Sequence, residues 1–207
     1  MNFWDVRFDK FNTMWGLEPT DSSIQTKDFF LEHNITDILI PGIGYGRNAK
    51  PFIENNIEVT GIEISQSAID LAKKLGLDIP IHHGSVSDMP FDDKKHGGIY
   101  CYALLHLLNE TDRSKLIKAS FEQLKPGGYM IFYTVSKKDA MYGEGIKIAE
   151  NTYKRGPDIE MFFYDQETIT RDFSPYGLIR SEEYFEPYKN DPTGSGIWFS
   201  KVICQRK

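Results

Sequence analysis

The chain has 207 residues, of which 40% are hydrophobic, so it is long enough to fold as one domain around a sizeable core. Its net charge of −6, without a long cluster of Lys and Arg, argues against a nucleic-acid substrate, because phosphates require a basic face. No apolar run approaches the roughly 20 residues that span a bilayer, and residues 1–10 lack the apolar stretch of a signal peptide, so we expect a cytoplasmic protein without a membrane partner.

Helices and strands alternate through the first two thirds of the chain. After an aromatic N-terminal stretch, Asp21-Ser22-Ser23 can cap a helix, and Ser65 and Thr111 are candidate caps of two later helices. The predicted elements are helices over 21–33, 47–56, 66–75 and 112–124, and strands over 36–41, 57–63, 79–83, 98–103 and 129–135. Alternation of this kind produces a parallel sheet with helices on both faces.

The last third of the chain changes character. Residues 136–164 lack a clear period and are expected to be irregular, and Asp165 can then cap a short helix. Two strands, over 178–187 and 196–205, flank a turn at 190–194 that is too short for a parallel pair. The chain is therefore predicted to be a single α/β domain, a doubly wound, seven-stranded Rossmann-like sheet with a C-terminal antiparallel hairpin.

A glycine-rich turn follows the first predicted strand. The apolar run Ile38–Pro41 leads into Gly42, Gly44 and Gly46, spaced Gly-x-Gly-x-Gly, and glycines let a ligand approach bare backbone. A dinucleotide fingerprint would need its last glycine at position 47, where this chain has Arg47. The loop is therefore placed for a ligand at the strand ends but has the wrong spacing for NAD.

Four further segments accompany this loop in order along the chain: Val59–Glu63, Gly84–Phe91, Ile99–Leu108 and Lys125–Gly128. With the glycine loop, they resemble the class I S-adenosylmethionine (SAM) dependent methyltransferases over residues 36–135. The Gly-Arg-Asn at 46–48 and the short C-terminal hairpin are loosely similar to the tellurite-resistance and thiopurine methyltransferases of that family. The resemblance implies SAM as the cofactor and methyl transfer as the activity.

The resemblance also implies which residues hold SAM. The glycine backbone would lie against its methionine and ribose, and the Glu63 carboxylate would accept hydrogen bonds from both ribose hydroxyls. Either Ser85 or Asp88 would contact the adenine amino group. The implied cofactor residues are Gly42, Gly44, Gly46, Glu63, Ile64, Ser85, Val86, Asp88, Cys101 and Ala103. Many family members carry an acid two residues before the first glycine, but this chain has Ile40 there.

Candidate residues for the chemistry and for the acceptor lie in other segments. His106, after the fourth strand, is a candidate catalytic general base, with a packing role as its alternative. Residues 1–34 are expected to cover the cofactor, and residues 136–164 to form a substrate-side insertion with an aromatic wall. The candidate acceptor-binding residues are Trp15, Tyr142 and Phe163.

Other conspicuous residues are expected to be structural. His82 and His83 point to opposite faces of a strand and cannot hold one ion, so no metal site is predicted. The two cysteines, Cys101 and Cys204, fit reduced core residues better than a disulfide.

The predicted function is methyl transfer from SAM to a small molecule, by in-line displacement aided by alignment and exclusion of water. A SAM-binding protein without turnover is the alternative, which the missing acid at Ile40 keeps open. A nicotinamide dehydrogenase is disfavoured by Arg47 and by the Lys-Pro-Gly-Gly at 125–128. The sequence leaves the acceptor and the oligomeric state open.

Overall fold

The computed structural model describes residues 2–157, 159–189 and 191–207; Met1, Asp158 and Asn190, the last in the predicted turn, lie outside them. The helices are α1 (Phe3–Phe11), α2 (Asp21–Glu32), α3 (Lys50–Glu54), α4 (Gln66–Lys74), α5 (Glu110–Gln123) and α6 (Gln166–Phe173). The strands are β1 (Asp37–Pro41), β2 (Glu58–Glu63), β3 (Ile81–His83), β4 (His96–Tyr102), β5 (Leu124–Val135), β6 (Ile146–Ala149), β7 (Thr152–Arg155), β8 (Ile159–Phe162), β9 (Leu178–Pro187) and β10 (Gly196–Gln205).

A seven-stranded sheet carries the fold, in the order β3-β2-β1-β4-β5-β10-β9. Strands β1 to β5 run parallel, whereas β10 is antiparallel to both β5 and β9. The strand order reverses between β1 and β4, and open α/β sheets bind ligands at the carboxyl ends of the strands beside such a reversal. The predicted Rossmann-like sheet with a C-terminal antiparallel hairpin is confirmed.

Side chains cap the starts of α1, α2, α4, α5 and α6, but two of the predicted caps are wrong. Ser65 and Asp165 cap α4 and α6 as predicted. The cap of α2 is Thr20, one residue before the predicted cap, and the cap of α5 is Asn109 rather than Thr111. In both cases several neighbouring residues have capping side chains, and the backbone geometry decides which of them reaches the first-turn N–H groups.

The aromatic N-terminal stretch forms helix α1, which is not among the predicted elements. The Asn2 side chain accepts a hydrogen bond from the Asp5 N–H while the Asp5 carboxylate accepts from the Asn2 N–H, which is a complete capping box. Trp4 and Phe8 follow at a spacing of one helical turn and face the same side. The capping box and the spacing of the two aromatic residues are both typical of a helix.

The expectation that residues 136–164 are irregular is wrong, because β6, β7 and β8 form a three-stranded antiparallel sheet there. Its strands are short, and β6 is exposed along its whole length, so no apolar periodicity marked it. The two ends of this insertion meet: the Lys137 N–H donates to the Tyr164 carbonyl at 2.8 Å, and the Tyr164 N–H donates to the Val135 carbonyl at 2.9 Å. The insertion therefore leaves and rejoins the main fold at one place.

Apolar clusters cover both faces of the seven-stranded sheet. Ile40 lies in one cluster and Leu39 in the other, as the strand period requires. Cys101 and Cys204 are free and buried, in line with the sequence analysis. Ile40 is only 3% exposed, so its strand position contributes to packing and offers no group to a ligand.

Candidate active site

The glycine loop owes its shape to three glycines in the left-handed region, with φ of 67° at Gly42, 58° at Gly44 and 81° at Gly46. Two of them are also packed closely against leucine side chains. A Cβ on Gly42 would lie 2.9 Å from a Leu104 methyl carbon, and a Cβ on Gly46 would lie 2.2 Å from a Leu77 methyl carbon. Gly44 instead turns its N–H to the end of β2, so the loop is built against its neighbours before any ligand binds.

Glu63, at the end of β2, is the buried carboxylate of this edge and is only 6% exposed. Its Oε2 accepts from the Gly44 N–H at 2.8 Å, and its Oε1 accepts from the Ser65 N–H at 2.9 Å. Burial raises the pKa of Glu63, although these backbone N–H groups act in the opposite direction. Each oxygen retains a free lone pair, so the carboxylate can accept two further hydrogen bonds.

Helix α1 lies across this carboxylate on both sides. The Asn2 side-chain amide donates to the Ile64 carbonyl at 3.0 Å, and the Asp5 carboxylate accepts from the Ser65 hydroxyl at 2.8 Å. On the other side Phe8 approaches the glycine loop, where a Cβ on Gly44 would lie 3.8 Å from its ring. The helix therefore borders the site, and because Glu63 is buried we expect a ligand that contacts Gly44 and Glu63 to displace α1.

Trp15 extends this cover along the glycine loop. Its ring stacks on Tyr45 with a centroid distance of 6.3 Å and an interplanar angle of 14°. The backbone N–H of Trp15 donates to the Tyr45 hydroxyl at 3.2 Å, and its backbone carbonyl accepts from the Arg47 guanidinium at 2.5 Å. Trp15 is still 48% exposed. Its contacts place it over the cofactor half of the site.

The segment after β3 separates the two candidates for the adenine contact. The Ser85 hydroxyl accepts from the Ser87 N–H at 3.2 Å and caps a short 3₁₀ helix over Val86–Asp88. The Asp88 carboxylate has no hydrogen-bond partner among the described residues, so its acceptors are free. Val86 is buried and Ile64 is partly exposed. Of the two side chains, Asp88 therefore has the more accessible acceptor oxygens.

The end of β4 does not support the prediction of His106 as a general base. His106 is 4% exposed, and its Nδ1 accepts from the Val135 N–H at 3.3 Å. Burial lowers the pKa of His106 to about 3, so the ring stays neutral near pH 7 with one nitrogen already occupied. Its position is that of a residue holding β5 against the segment after β4.

The remaining residues predicted at the end of β4 differ in access. Cys101 is buried, and burial raises the pKa of its thiol, so it contributes shape and no reactive thiolate. Ala103 adopts a φ of 53°, which is unusual for alanine, and its N–H donates to the Tyr133 carbonyl at 3.0 Å. The strained turn at Ala103 directs the chain from β4 towards the glycine loop, where Leu104 packs on Gly42.

The structure does not bring the three predicted acceptor residues together. Phe163 is fully buried, and its ring packs edge-on against Tyr142 and Tyr153. Phe163 is therefore a core residue and not a pocket wall, which corrects the prediction. Tyr142 is 36% exposed beside it, whereas Trp15 lies over the glycine loop. The preceding residue, Phe162, faces the opposite side and belongs to the other apolar cluster, because neighbouring residues of an extended chain alternate.

Phe162 opens onto a cavity of about 500 Å³ that sequence reasoning missed. The cavity lies between the start of α5, the three-stranded sheet and the start of α6. Its lining residues are Leu107, Leu108, Asn109, Glu110, Arg113, Lys137, Ile148, Ala149, Glu150, Asn151, Thr152, Glu160, Phe162, Asp165, Glu167, Thr168 and Arg171. Arg113 is buried and stacks over the Phe162 ring, with its guanidinium carbon 3.9 Å from the ring centre. The sequence could have indicated that Phe162 and Phe163 face opposite sides only if the extended segment at β8 had been predicted.

The histidines at β3 behave as structural residues. His82 Nε2 lies 3.0 Å from an Asp92 carboxylate oxygen, and His83 Nε2 lies 3.1 Å from the Ile64 carbonyl oxygen. They therefore engage different parts of the molecule. Among the described residues, no group of three or more His, Cys, Asp or Glu side chains is arranged to hold a metal ion.

Comparison with known proteins decides the family. Residues 38–128 match the model of a family described as a methyltransferase domain. These residues form a SAM-dependent methyltransferase domain. Its cofactor is SAM, and the match to a methyltransferase domain favours the enzyme over the non-catalytic alternative.

Two kinds of curated relative resemble the methyltransferase. A tRNA N(3)-cytidine methyltransferase, METTL2, from Xenopus tropicalis is 26% identical over 82% of this chain, which spans 55% of that relative's length. A ubiquinone biosynthesis O-methyltransferase from Coxiella burnetii is 25% identical over 91% of this chain and 86% of its own length. The chain thus spans about half of the first relative and most of the second.

Solved structures share the fold at low identity. A SAM-dependent methyltransferase from Methanosarcina mazei matches 85% of this chain and 96% of its own, with a TM-score of 0.69 and 20% identity. The 1,6-didemethyltoxoflavin-N1-methyltransferase of Burkholderia thailandensis covers 99% of this chain and 85% of its own, with a TM-score of 0.71 and 14% identity. TehB from Haemophilus influenzae, a tellurite-resistance methyltransferase, covers 98% of this chain and 66% of its own, with a TM-score of 0.66 and 16% identity.

No helix in the described parts of the methyltransferase has both the length and the apolar character needed to cross a bilayer.

Weakening the hold on α1 is expected to speed cofactor exchange. Burial acts to raise the pKa of Asp5, but hydrogen bonds from the Ser65 hydroxyl and the backbone lower it, so the contact is present at neutral pH and is lost as the pH falls through this lowered pKa. Asp5→Ala removes bonds of about 1 kcal/mol, so association and dissociation of S-adenosylhomocysteine should quicken about threefold to tenfold. Stopped-flow fluorescence measures both rates. Asp9→Ala, exposed on the same helix, is the matched control, and equal rates in both variants would contradict the role of α1.

Proposed function

We propose that this methyltransferase transfers the methyl group of SAM to a small-molecule acceptor. The observation that carries the proposal is the cavity beside the ends of β4 and β5, whose volume of about 500 Å³ lies within the usual range of small-ligand sites. It is walled by the start of α5 and by the insertion at 136–164. A single drug-sized molecule fits such a space.

The cofactor half of the site is assigned to the edge formed by β1, β2 and β3. Glu63 accepts from the ribose hydroxyls through the lone pairs that Gly44 and Ser65 leave free. Asp88 accepts from the adenine amino group, and Val86 and Ile64 flank the base. The donor and acceptor set fits SAM once α1 is displaced. When bound, SAM supplies an electrophilic methyl group on a sulfonium.

The chain's own residues contribute alignment and exclusion of water. Neutral His106 is not assigned as a base, since its Nδ1 is occupied and its pKa is low. We assign it to positioning the end of β5. Helix α1 closes over the cofactor, and the insertion walls the acceptor, so the two reactants meet at the end of β4 in a fixed orientation. Orientation of this kind supplies much of the rate of such displacements.

A nucleic-acid acceptor is the competing function, because one relative is a tRNA methyltransferase. Two observations favour the small molecule. The net charge of −6 opposes binding to a phosphate backbone. The chain also spans most of the ubiquinone relative, but only about half of the tRNA relative.

Release of S-adenosylhomocysteine tests the proposal. The enzyme with SAM is assayed against small phenols, amines, thiols and carboxylic acids, and in parallel against unmodified tRNA. We expect turnover with at least one small molecule and none with tRNA. Turnover with tRNA alone would overturn the small-molecule assignment and leave the cofactor assignment intact.

A further inference from the structure

Arg113 is an unusual lining residue of the cavity, because its charged side chain is only 6% exposed. One guanidinium nitrogen, Nη1, donates to the Leu108 carbonyl at 2.8 Å. Its Nε is buried without a hydrogen-bond partner. Among the described residues, Arg113 forms no ion pair with a carboxylate. A buried guanidinium left this way is costly unless an anion completes its hydrogen bonds.

The other cations of the cavity are already neutralised. Lys137 forms an ion pair with the Asp165 carboxylate, and Arg171 Nε lies 2.7 Å from an Asp172 carboxylate oxygen. Neither is fully buried. Among the described residues, Arg113 is therefore the cavity cation that no carboxylate neutralises, with a full charge to offer. Its planar fork suits a carboxylate or phosphate oxygen pair better than a neutral oxygen.

Two helix starts reinforce this charge. The first residues of α5 and of α6 line the cavity, and the N-terminus of a helix carries a partial positive charge. Four glutamates, Glu110, Glu150, Glu160 and Glu167, line it as well, but all four are exposed. Water and salt screen charges at an exposed rim far more than the buried guanidinium, so the interior of the cavity favours an anion.

We propose that the acceptor is an amphipathic organic anion whose carboxylate or phosphate binds Arg113, an inference that rests on the small-molecule function proposed above. Leu107, Leu108, Ile148 and Phe162 supply the apolar contacts for its body. Arg113 then fixes one end of the acceptor beside the segment after β4, and the methyl-accepting atom lies at the other end. This makes Arg113 a specificity-determining residue.

Probe binding tests this directly. NMR titration of the enzyme saturated with S-adenosylhomocysteine compares 4-hydroxybenzoate, phenyl phosphate and the neutral 4-hydroxybenzamide. We expect at least one anion to bind with at least about tenfold higher affinity than the amide, the lower end of the range for hydrogen bonds to charged groups. Comparison of 4-hydroxybenzoate with phenyl phosphate identifies which anion the Arg113 guanidinium prefers.

Variants test whether Arg113 is the residue that binds the anion. Arg113→Gln should lose at least about tenfold in affinity for the favoured anion while its affinity for the amide stays within twofold. Arg113→Lys, which keeps the charge but not the fork, should lose less. Arg180→Gln, an exposed arginine on β9 away from the cavity, is the control for net charge and should bind as the wild type does.

Each outcome is decisive. If the wild-type enzyme binds the amide as tightly as both anions, or if Arg113→Gln binds the anion unchanged, the proposal is wrong. The comparison of wild-type probes remains valid even if Arg113→Gln fails to fold. Arg113-dependent binding of an RNA oligonucleotide, with neither small anion bound, also overturns it. If the wild-type protein does not bind S-adenosylhomocysteine, the methyltransferase assignment itself is wrong, and this result is distinct from those above.

Discussion

Replacing Glu63 by alanine is expected to weaken binding of S-adenosylhomocysteine by about 1.5–3 kcal/mol, the range for hydrogen bonds to a charged group. The variant loses the acceptor for both ribose hydroxyls and releases the Gly44 N–H that the carboxylate holds at 2.8 Å. Titration calorimetry measures the change. Glu58→Ala, an exposed acid at the start of the same strand, is the control and should bind normally. Unchanged affinity in a folded Glu63→Ala protein would remove Glu63 from the cofactor site.

The same residue predicts a pH dependence of cofactor binding. Because burial raises the pKa of Glu63, protonation favours the folded apo state, and this contribution to stability is lost as the pH rises through the raised pKa. The ribose hydroxyls need the ionised form, so cofactor affinity should fall as the pH drops through that same pKa. Glu63→Gln should bind weakly with a flatter profile between about pH 4 and 7. If the cofactor affinity of the wild-type enzyme does not fall at low pH, Glu63 is not the ligand of the ribose hydroxyls.

Replacing Gly46 by alanine is expected to destabilise the protein by about 2–5 kcal/mol, even without cofactor, from left-handed strain of about 1–2 kcal/mol and overpacking of about 1–3 kcal/mol. Its φ is 81°, and the added Cβ would lie 2.2 Å from a Leu77 methyl carbon. Urea unfolding followed by circular dichroism gives the free energy of unfolding.

Gly76 offers a matched control for this substitution. Its φ is 83°, yet nothing lies within 4 Å of an added Cβ, so Gly76→Ala carries the backbone strain alone. We expect it to cost about 1–2 kcal/mol. Equal losses in the two alanine variants would mean that Leu77 moves aside freely, and that Gly46 is required only for its backbone conformation.

The main sheet could be predicted from the sequence because its strands are apolar and its breaks contain glycine. Val59–Glu63 and the glycine loop predict the edge of the sheet at which we place the cofactor. Helix α1 is not among the predicted elements, although the Asn2–Asp5 capping box marks its start. The sequence could not show how α1 would fold back onto Ser65, since that contact joins residues far apart in the chain.

The acceptor side was harder to predict for a physical reason. Strands of four residues with exposed faces carry too few apolar positions to define a period, so β6 to β8 were not recognised. Without β8, the opposite directions of Phe162 and Phe163 could not be inferred, and the buried member was chosen. Arg113 lies on a helix that was predicted, but its burial depends on the sheet that was not.

The closed stem of the insertion has a consequence for how this enzyme can diversify. The chain leaves the main sheet after Val135 and returns at Tyr164, and backbone hydrogen bonds join the two points. Phe162 and Phe163 anchor this segment in the two apolar clusters, whereas β6 is exposed along its whole length. Lengthening or shortening the turns beside β6 therefore alters mainly loop entropy, by about 0.6 kcal/mol for each doubling of length. Varying β6 and its turns, with the buried phenylalanines kept, is a direct route to a methyltransferase with a new substrate.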